Sequence, residues 1–276
     1  MVTAPNSPYN QLPGGSDVHI GRPFRSLVRY GFGAAVEVAD RVAVPRTDAG
    51  VSESSAVGHE PRSRSHVLNR ALNLSIAIVA LIAIAPVMLL VALAIRLTSP
   101  GPVVYQQVRV GIDRRRRRAL PIYNRRSTDF GGQEFTIYKF RSMFVDAEGR
   151  TGPVWASVGD PRITPLGRIL RQTRLDELPQ LINVIKGDMN IVGPRPERPS
   201  IIVDLRERIP EYTLRQRVKP GITGWAQVNQ AYDTCLDDVK NKVRLDLEYL
   251  RRQSLVEDLK IMVRTIHVML FKRTGW

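Results

Sequence analysis

The 276-residue chain has a single cysteine, Cys235, and four histidines, His19, His59, His66 and His267, that share no ligand spacing. A lone cysteine excludes an intramolecular disulfide and a cysteine-based zinc site. Scattered histidines argue against a zinc centre or a histidine-dependent triad. Any catalytic burden therefore falls on carboxylates. These are themselves in the minority, since Asp plus Glu number 26 against 41 Lys plus Arg, a formal charge of +15. Such an excess favours polyanionic partners, whether nucleic acid, an anionic membrane face or phosphorylated substrates. The N-terminus lacks a charged start followed by an apolar stretch and a cleavage site, so no secretory signal is expected. No internal repeat is visible.

Charge is missing altogether from one long stretch. From Ala71 to Ile95 no residue is charged, a run of about 25 residues and long enough for a membrane segment. Pro86 divides it into arms of about 22 and 15 Å, and neither alone crosses a hydrocarbon core of about 30 Å. Arg62, Arg64 and Arg70 precede the run, and Arg96, Arg109 and Arg114 to Arg118 follow it. The positive-inside rule would put both ends on the cytoplasmic side. The expectation is a re-entrant helix within residues 64–98, bent at Pro86, which makes the protein monotopic; a spanning helix is the alternative. Residues 1–63 mix Gly, Pro, Ser and isolated charges and are expected to form a mostly disordered arm. Residues 99–276 are expected to form a cytosolic catalytic domain.

The expected fold class is α+β and mainly helical, with a small β-hairpin and interfacial amphipathic helices. Val103–Val110 and Glu134–Phe140 have the β-branched and aromatic character of two hairpin strands. The insert between them carries Arg114 to Arg118, Arg125 and Arg126, either as a solvated loop or as a contact for anionic lipid. It has no interleaved aromatics, which weakens a nucleic-acid reading. Thr164-Pro165-Leu166 opens a helix with Leu166, Ile169 and Leu170 on one side and Arg168, Arg171 and Arg174 on another, suited to a membrane surface or to the core. Two more helices are expected over Asp237–Gln253 and Ser254–Lys272. The second gathers Leu255, Leu259, Met262, Val263, Ile266, Met269 and Leu270 on one face, core-packing by default or interfacial beside a membrane.

The chemistry concentrates in Leu175-Asp176-Glu177-Leu178-Pro179-Gln180-Leu181 and, some twenty residues later, Gly193-Pro194-Arg195-Pro196-Glu197. Phosphoryl transfer needs a carboxylate that can attack phosphorus, a carboxylate that can hold a divalent metal and a fixed cation for phosphate oxygens. A helix is expected from Asp176 to about Lys186, with Pro179 in its first turn and Gly187 as its terminator. That would set both carboxylates at a helix N-terminus, where free amides favour the ionised form. An N-cap role is the plainer reading of Asp176 taken alone. The two prolines hold Arg195 extended, a good posture for a planar phosphate clamp. Farther on, Arg215 to Trp225 alternates cations with turn residues; Trp225 would stack on a base or sugar, or fill core.

Together with Thr98 to Val103, Tyr138-Lys139-Phe140-Arg141-Ser142-Met143, Asp160-Pro161-Arg162-Ile163-Thr164, Gly187-Asp188-Met189 and Lys219 to Trp225, these segments resemble the bacterial sugar transferase family, the monotopic phosphoglycosyl transferases. The resemblance covers about residues 66 to 276 and follows the family's motif order. It implies transfer of a sugar-1-phosphate from a nucleotide diphosphosugar, with uridine the usual base, to polyprenyl phosphate, with undecaprenyl phosphate the usual acceptor. By this resemblance Asp176 is the nucleophile that becomes an aspartyl-phosphosugar, and Glu177 is the Mg²⁺ ligand. Lys139, Arg141 and Arg195 are implied as phosphate contacts; Arg217, Trp225, Asp246 and Asp258 are weaker candidates for substrate or structural roles. The resemblance also implies the cytoplasmic face of a bacterial inner membrane, an anionic lipid surface as partner and no nucleic acid, and leaves room for a homodimer. Two departures stand out: Ala85-Pro86 replaces the family's frequent Ser-Pro, and the basic insert is longer than usual. A membrane-anchored nucleic-acid-binding protein and a nucleotide-sugar diphosphatase are the competing readings.

Overall fold

The computed structural model describes residues 27–29, 35–37, 60–113, 130–147, 159–230, 233 and 235–271. Expectations for the arm 1–63 and for the basic insert therefore lie largely outside the described residues. Leu27–Arg29 (β1) pairs antiparallel with Ala35–Glu37 (β2).

The uncharged run lies within one 33-residue helix, His66–Thr98 (α1). Ser65 starts it, its Oγ accepting from the Leu68 amide at 3.4 Å, and extended Ser99 ends it ahead of Pro100. Helical geometry continues on both sides of Pro86, which lies on the exposed side. At about 1.5 Å per residue α1 would measure about 50 Å if straight. One stripe, Asn73, Ala77, Val91 and Ile95, is buried, while Val79, Ile82, Leu89, Leu90 and Leu93 are exposed. The buried stripe docks at both ends on the same body. Ala77 packs with Ile137, Leu181, Val184 and Met189, and Asn73 Oδ1 accepts from the Ile191 amide at 2.7 Å. Val91 and Ile95 pack with Phe140 and Leu170.

The expected hairpin is present. Val104–Val110 (β3) pairs antiparallel with Glu134–Phe140 (β4), Val104 opposite Phe140 and Val110 opposite Glu134. Pro165–Gln172 (α2) begins at Thr164, whose Oγ1 accepts from the Gly167 amide at 2.9 Å. Gln180–Lys186 (α3) stops at Gly187, which takes the left-handed φ of 89° that terminates helices. A second, parallel pair was not legible in the sequence: Asn190–Val192 (β5) lies beside Gly221–Thr223 (β6). Pro199–Arg208 (α4) and a 3-10 segment, Pro210–Arg217, make the crossover. Trp225–Asn229 (α5), Leu236–Arg252 (α6) and Leu255–Phe271 (α7) complete the chain. The largest core cluster joins Val192, Ile202, Tyr212, Leu247, Leu250 and Ile261 across these elements.

The core-packing expectation for α7 is corrected. Ile261 and Val268 enter the core, whereas Val256, Leu259, Val263 and Ile266 remain 58–64 % exposed. Both sides of α7 carry apolar residues, and the shorter apolar set docks because Thr265 Oγ1 meets Thr223 Oγ1 at 2.7 Å and Asp258 is tied to Tyr249 and Arg64.

Asn183 joins the hairpin to α3. Fully buried, its Nδ2 donates to the Thr136 carbonyl at 2.6 Å and its Oδ1 accepts from the Tyr138 amide at 3.1 Å. Asn183→Ala would strand both backbone groups at a cost of about 1–3 kcal/mol. For a domain of this size a thermal melt should fall by about 2–4 °C for each kcal/mol; an unchanged midpoint would remove Asn183 as the tie.

Candidate active site

The dyad sits in a 3-10 turn, Leu175–Glu177, and not on a longer helix. The expected helix start at Asp176 is therefore corrected: α3 begins at Gln180, with Pro179 at its N-cap. The reason is local. Arg174 adopts a left-handed φ of 58°, which turns the chain sharply after α2. Hydrogen bonds spanning three residues then close the turn, from the Glu177 amide to Arg174 O and from the Leu178 amide to Leu175 O, at 3.1 and 3.3 Å. Leu175 and Leu178 pack beside Val91, Ile95 and Phe140, so the apolar flanks seat the turn against α1 and β4. Asp176 and Glu177 are each only 7 % exposed.

Cations, and not helix amides, govern these carboxylates. Lys139 Nζ lies 3.0 Å from Glu177 Oε1, and Arg195 grips both carboxylate oxygens, at 2.5 and 3.3 Å. Burial would raise the pKa of Glu177, but Arg195 and Lys139 override it and hold the group well below the usual carboxylate range. Burial lowers that of Lys139, and Glu177 only partly restores it. Asp176 differs from its neighbour. Burial first, and the Glu177 charge second, push it up to about 6. No hydrogen bond or ion pair among the described residues engages its carboxylate. The dyad thus pairs a clamped anion with an unclamped acid that ionises near neutrality, the state wanted in a carboxylate nucleophile.

The Arg195 segment is itself held from behind. Arg215 Nη2 donates to the Arg195 carbonyl at 2.9 Å, and Arg109 Nη1 donates to the Pro196 carbonyl at 3.0 Å. Arg215 is buried against Asp246 at 2.6 Å and donates to the Tyr212 hydroxyl at 2.8 Å. Burial would discharge Arg215, yet Asp246, Tyr212 and Glu197 raise its pKa above the ordinary value. Glu197 lies between Lys242, at 2.9 Å, and Arg109, at 3.4 Å. Burial would raise it, but Lys242, Arg109 and Arg215 bring it down to about 2. Arg109, Glu197, Arg215 and Lys242 were not singled out as site residues from sequence. Glu197 stands in the Arg195 motif and Arg215 in an Arg-x-Arg pair with Arg217, but nothing in that pair distinguishes the inward arginine from the outward one.

Of the residues picked out by sequence, the structure brings together Asp176, Glu177, Lys139 and Arg195. Asp246 acts one step away, through Arg215. Arg141 instead caps the end of α1, donating to Ser99 O and Pro100 O at 2.7 Å each. Gly101, at φ 113°, follows directly, where a side chain would collide with that guanidinium. Arg217 pairs with Glu60 at 3.2 Å, on the far side of the 3-10 segment. Trp225 donates to Glu248 at 3.0 Å, and its ring lies under Arg252 and Arg264. Asp258 joins Arg64 and the Tyr249 hydroxyl. The contacts of Arg141, Trp225 and Asp258 are those of structural residues, and none of them involves Asp176 or Glu177.

Mg²⁺ typically takes one or two carboxylates and completes its shell with substrate phosphate and water. Asp176 and Glu177 are adjacent donors of that kind, and no cluster of three or more His, Cys, Asp or Glu occurs among the described residues. The donor set fits a hard cation shared with a diphosphate and does not fit a closed protein cage. Removing Asp246 would leave Arg215 buried without its carboxylate, a loss of about 3–5 kcal/mol. Asp246→Ala should therefore lower the denaturant midpoint strongly, whereas the exposed Asp237→Ala should leave it almost unchanged.

A family model described as bacterial sugar transferase matches residues 64–272. The chain is 41 % identical over 212 residues to an undecaprenyl-phosphate glucose phosphotransferase of Komagataeibacter xylinus, covering 75 % of this chain and 36 % of that protein. It is 41 % identical over 204 residues to a UDP-glucose:undecaprenyl-phosphate glucose-1-phosphate transferase of Escherichia coli (strain K12), covering 73 % and 40 %. The exopolysaccharide production protein PSS of Rhizobium leguminosarum bv. phaseoli is 36 % identical over 215 residues, covering 76 % and 98 %. The chain thus spans well under half the length of the first two relatives and matches nearly all of the third. Because the matched span runs from the apolar helix through the clamped dyad and the Arg195 segment to α7, this chain belongs to the bacterial sugar transferase family.

Proposed function

We propose that the chain transfers a sugar-1-phosphate from a nucleotide diphosphosugar to polyprenyl phosphate through a covalent intermediate on Asp176. The observation that carries this reading is the contrast within the dyad, one carboxylate gripped by two cations and its neighbour in no ion pair among the described residues. The relatives' names carry UDP-sugars and undecaprenyl phosphate, which makes these the preferred donor and acceptor classes.

In the first step an Asp176 carboxylate oxygen attacks the sugar-bearing phosphorus. The bond from that phosphorus to the bridging oxygen breaks, and its electron pair leaves on the nucleoside monophosphate. In the second, a phosphate oxygen of the polyprenyl acceptor attacks the same phosphorus, giving the polyprenyl diphosphosugar and returning Asp176 as carboxylate. Lys139 and Arg195 are the fixed cations positioned to meet diphosphate oxygens, and Arg215 and Arg109 keep the Arg195 backbone in place. Mg²⁺, held by Glu177 with Asp176 beside it, would neutralise diphosphate charge when bound.

The membrane placement belongs to the same proposal. Docking of both ends of α1 on one body supports a helix that enters and leaves the bilayer on one side, bent at Pro86. Arginines at both ends of the uncharged run support the cytoplasmic face of a bacterial inner membrane. The exposed apolar side of α7 and Ile169 on α2 support interfacial contact with lipid.

With donor alone, Asp176→Asn and Glu177→Gln should each abolish release of nucleoside monophosphate, and mass spectrometry should find the sugar-phosphate adduct on Asp176 of the native chain. An adduct elsewhere, or turnover by the Asn variant, defeats the covalent route. Only ionised Asp176 can attack, so the burst should rise about tenfold per pH unit below its pKa of about 6 and level off above about 7. The stability effect runs the other way. A carboxyl whose pKa is raised by folding stabilises the native state below its unfolded value, and that contribution is lost as pH rises through about 6. Asp176→Asn should accordingly melt no lower than the native chain at pH 8, and a lower melting point would point to a structural role.

A further inference from the structure

The acceptor of the proposed transfer is an amphiphile, and its two ends require different surfaces. Its phosphate must reach Asp176, while its isoprenoid chain belongs in the hydrocarbon that takes up α1. The elements that carry the dyad bound the route between them. Through Arg174, α2 leads into the Asp176 turn. Leu175 and Leu178 of that turn pack with Val91 and Ile95 of α1, Phe140 of β4 and Leu170 of α2. The nucleophile is therefore seated beside the C-terminal half of α1.

Large apolar side chains stay outside at this junction. Leu97 in the last turn of α1, Phe144 and Val145 in the loop after β4, and Ile169 on α2 are 53–77 % exposed. Their backbones are nevertheless tied together. Arg141 caps the end of α1, and a Cβ at Gly101 would fall 2.7 Å from Val145 Cγ2, so Val145 rests against the chain leaving α1. The Phe144 amide donates to Arg162 O at 2.9 Å, and the Arg162 side chain is paired with Asp160 at 2.6 Å. The Thr164 amide donates to Ser142 O at 3.0 Å. Gly167 of α2 lies so close to Ser142 that a side chain would collide with its carbonyl. Exposed apolar residues gathered on a braced frame mark a contact surface.

Two features favour the acceptor's chain over bilayer contact alone. The patch is carried by the segments that carry the reacting groups, since Phe144 lies in the loop leaving the strand of Lys139 and Ile169 on the helix leading to Asp176. Arg171, between Ile169 and Asp176, is near enough for its charge to offset part of the rise in the Asp176 pKa. Apolar surface, cation and nucleophile thus follow one another in the order of the acceptor's chain and phosphate. We infer that Leu97, Phe144, Val145 and Ile169 form a docking surface for the isoprenoid chain of the acceptor lipid, which leads its phosphate to Asp176. The inference rests on the proposed transfer and goes beyond it in naming where the second substrate is held.

The test uses the full chain in neutral detergent micelles, where seating in a bilayer plays no part. Undecaprenyl phosphate and geranyl phosphate, a short and soluble isoprenyl phosphate, are compared as acceptors. The native chain should show a KM for the long acceptor about tenfold or more below that for the short one. Phe144→Ser/Val145→Ser should raise the undecaprenyl phosphate KM about tenfold, as expected for two lost apolar contacts, and leave the geranyl phosphate KM unchanged. The burst of nucleoside monophosphate from donor alone precedes the acceptor and should keep its native rate, which shows the variant to be folded. Ile169→Ser, on a separate element, should shift the long-acceptor KM in the same direction and decides the matter if the double variant loses the burst. Equal KM values for the two acceptors in the native chain would overturn the inference. So would an unchanged long-acceptor KM in a folded variant, which leaves the patch to bilayer contact, or an equal rise for both acceptors. Failure of the native chain to form an adduct on Asp176 would instead defeat the transfer itself, whereas an adduct with unshifted KM values sinks the docking surface alone.

Discussion

The ion cluster around Glu177 is the constraint on which the site depends. A carboxylate that is 7 % exposed stays charged only because Lys139 and Arg195 reach it from two other parts of the chain. Burying an isolated charge costs several kcal/mol, so any displacement of β4, the 3-10 turn or the Arg195 segment is penalised through this cluster. The cluster also defines its neighbour. With both cations directed at Glu177, Asp176 makes no ion pair among the described residues, and burial beside that negative charge pushes its pKa up to about 6.

Much of the remaining polar interior serves to hold those three elements in register. Asn183 ties α3 to the strand that carries Lys139, and Arg215 and Arg109 brace the backbone around Arg195. The apolar helix α1 belongs to the same scaffold. Its Asn73 bonds the middle of β5, Ala77 seals one core cluster, and Ile95 sits beside the leucines that seat the dyad. The apolar helix and the body that carries the dyad are thus packed as one unit.

The +15 charge reads differently once side chains are placed. Several arginines that look from composition like a surface for polyanions are turned inward. Arg141 holds the end of α1, Arg70 holds the end of α3, Arg215 is buried with Asp246, and Arg64 is paired with Asp258. Net charge reports the excess but not where it acts.

The sequence by itself determined the local inventory: an uncharged run long enough for a bilayer, a strand pair, adjacent carboxylates between leucines and an arginine stiffened by prolines. Each of these is written in consecutive residues or in a short period, so no partner is needed to see it. Tertiary structure alone decided which cations meet Glu177, because Lys139 and Arg195 lie 38 and 18 residues away and converge only when β4 and the Pro194–Pro196 segment pack beside the turn. It likewise decided that Arg215 faces inward while Arg217 faces outward, and that α7 docks by Ile261 and Val268. Periodicity names the faces of a helix, but the choice between two apolar faces belongs to the surface that receives one of them.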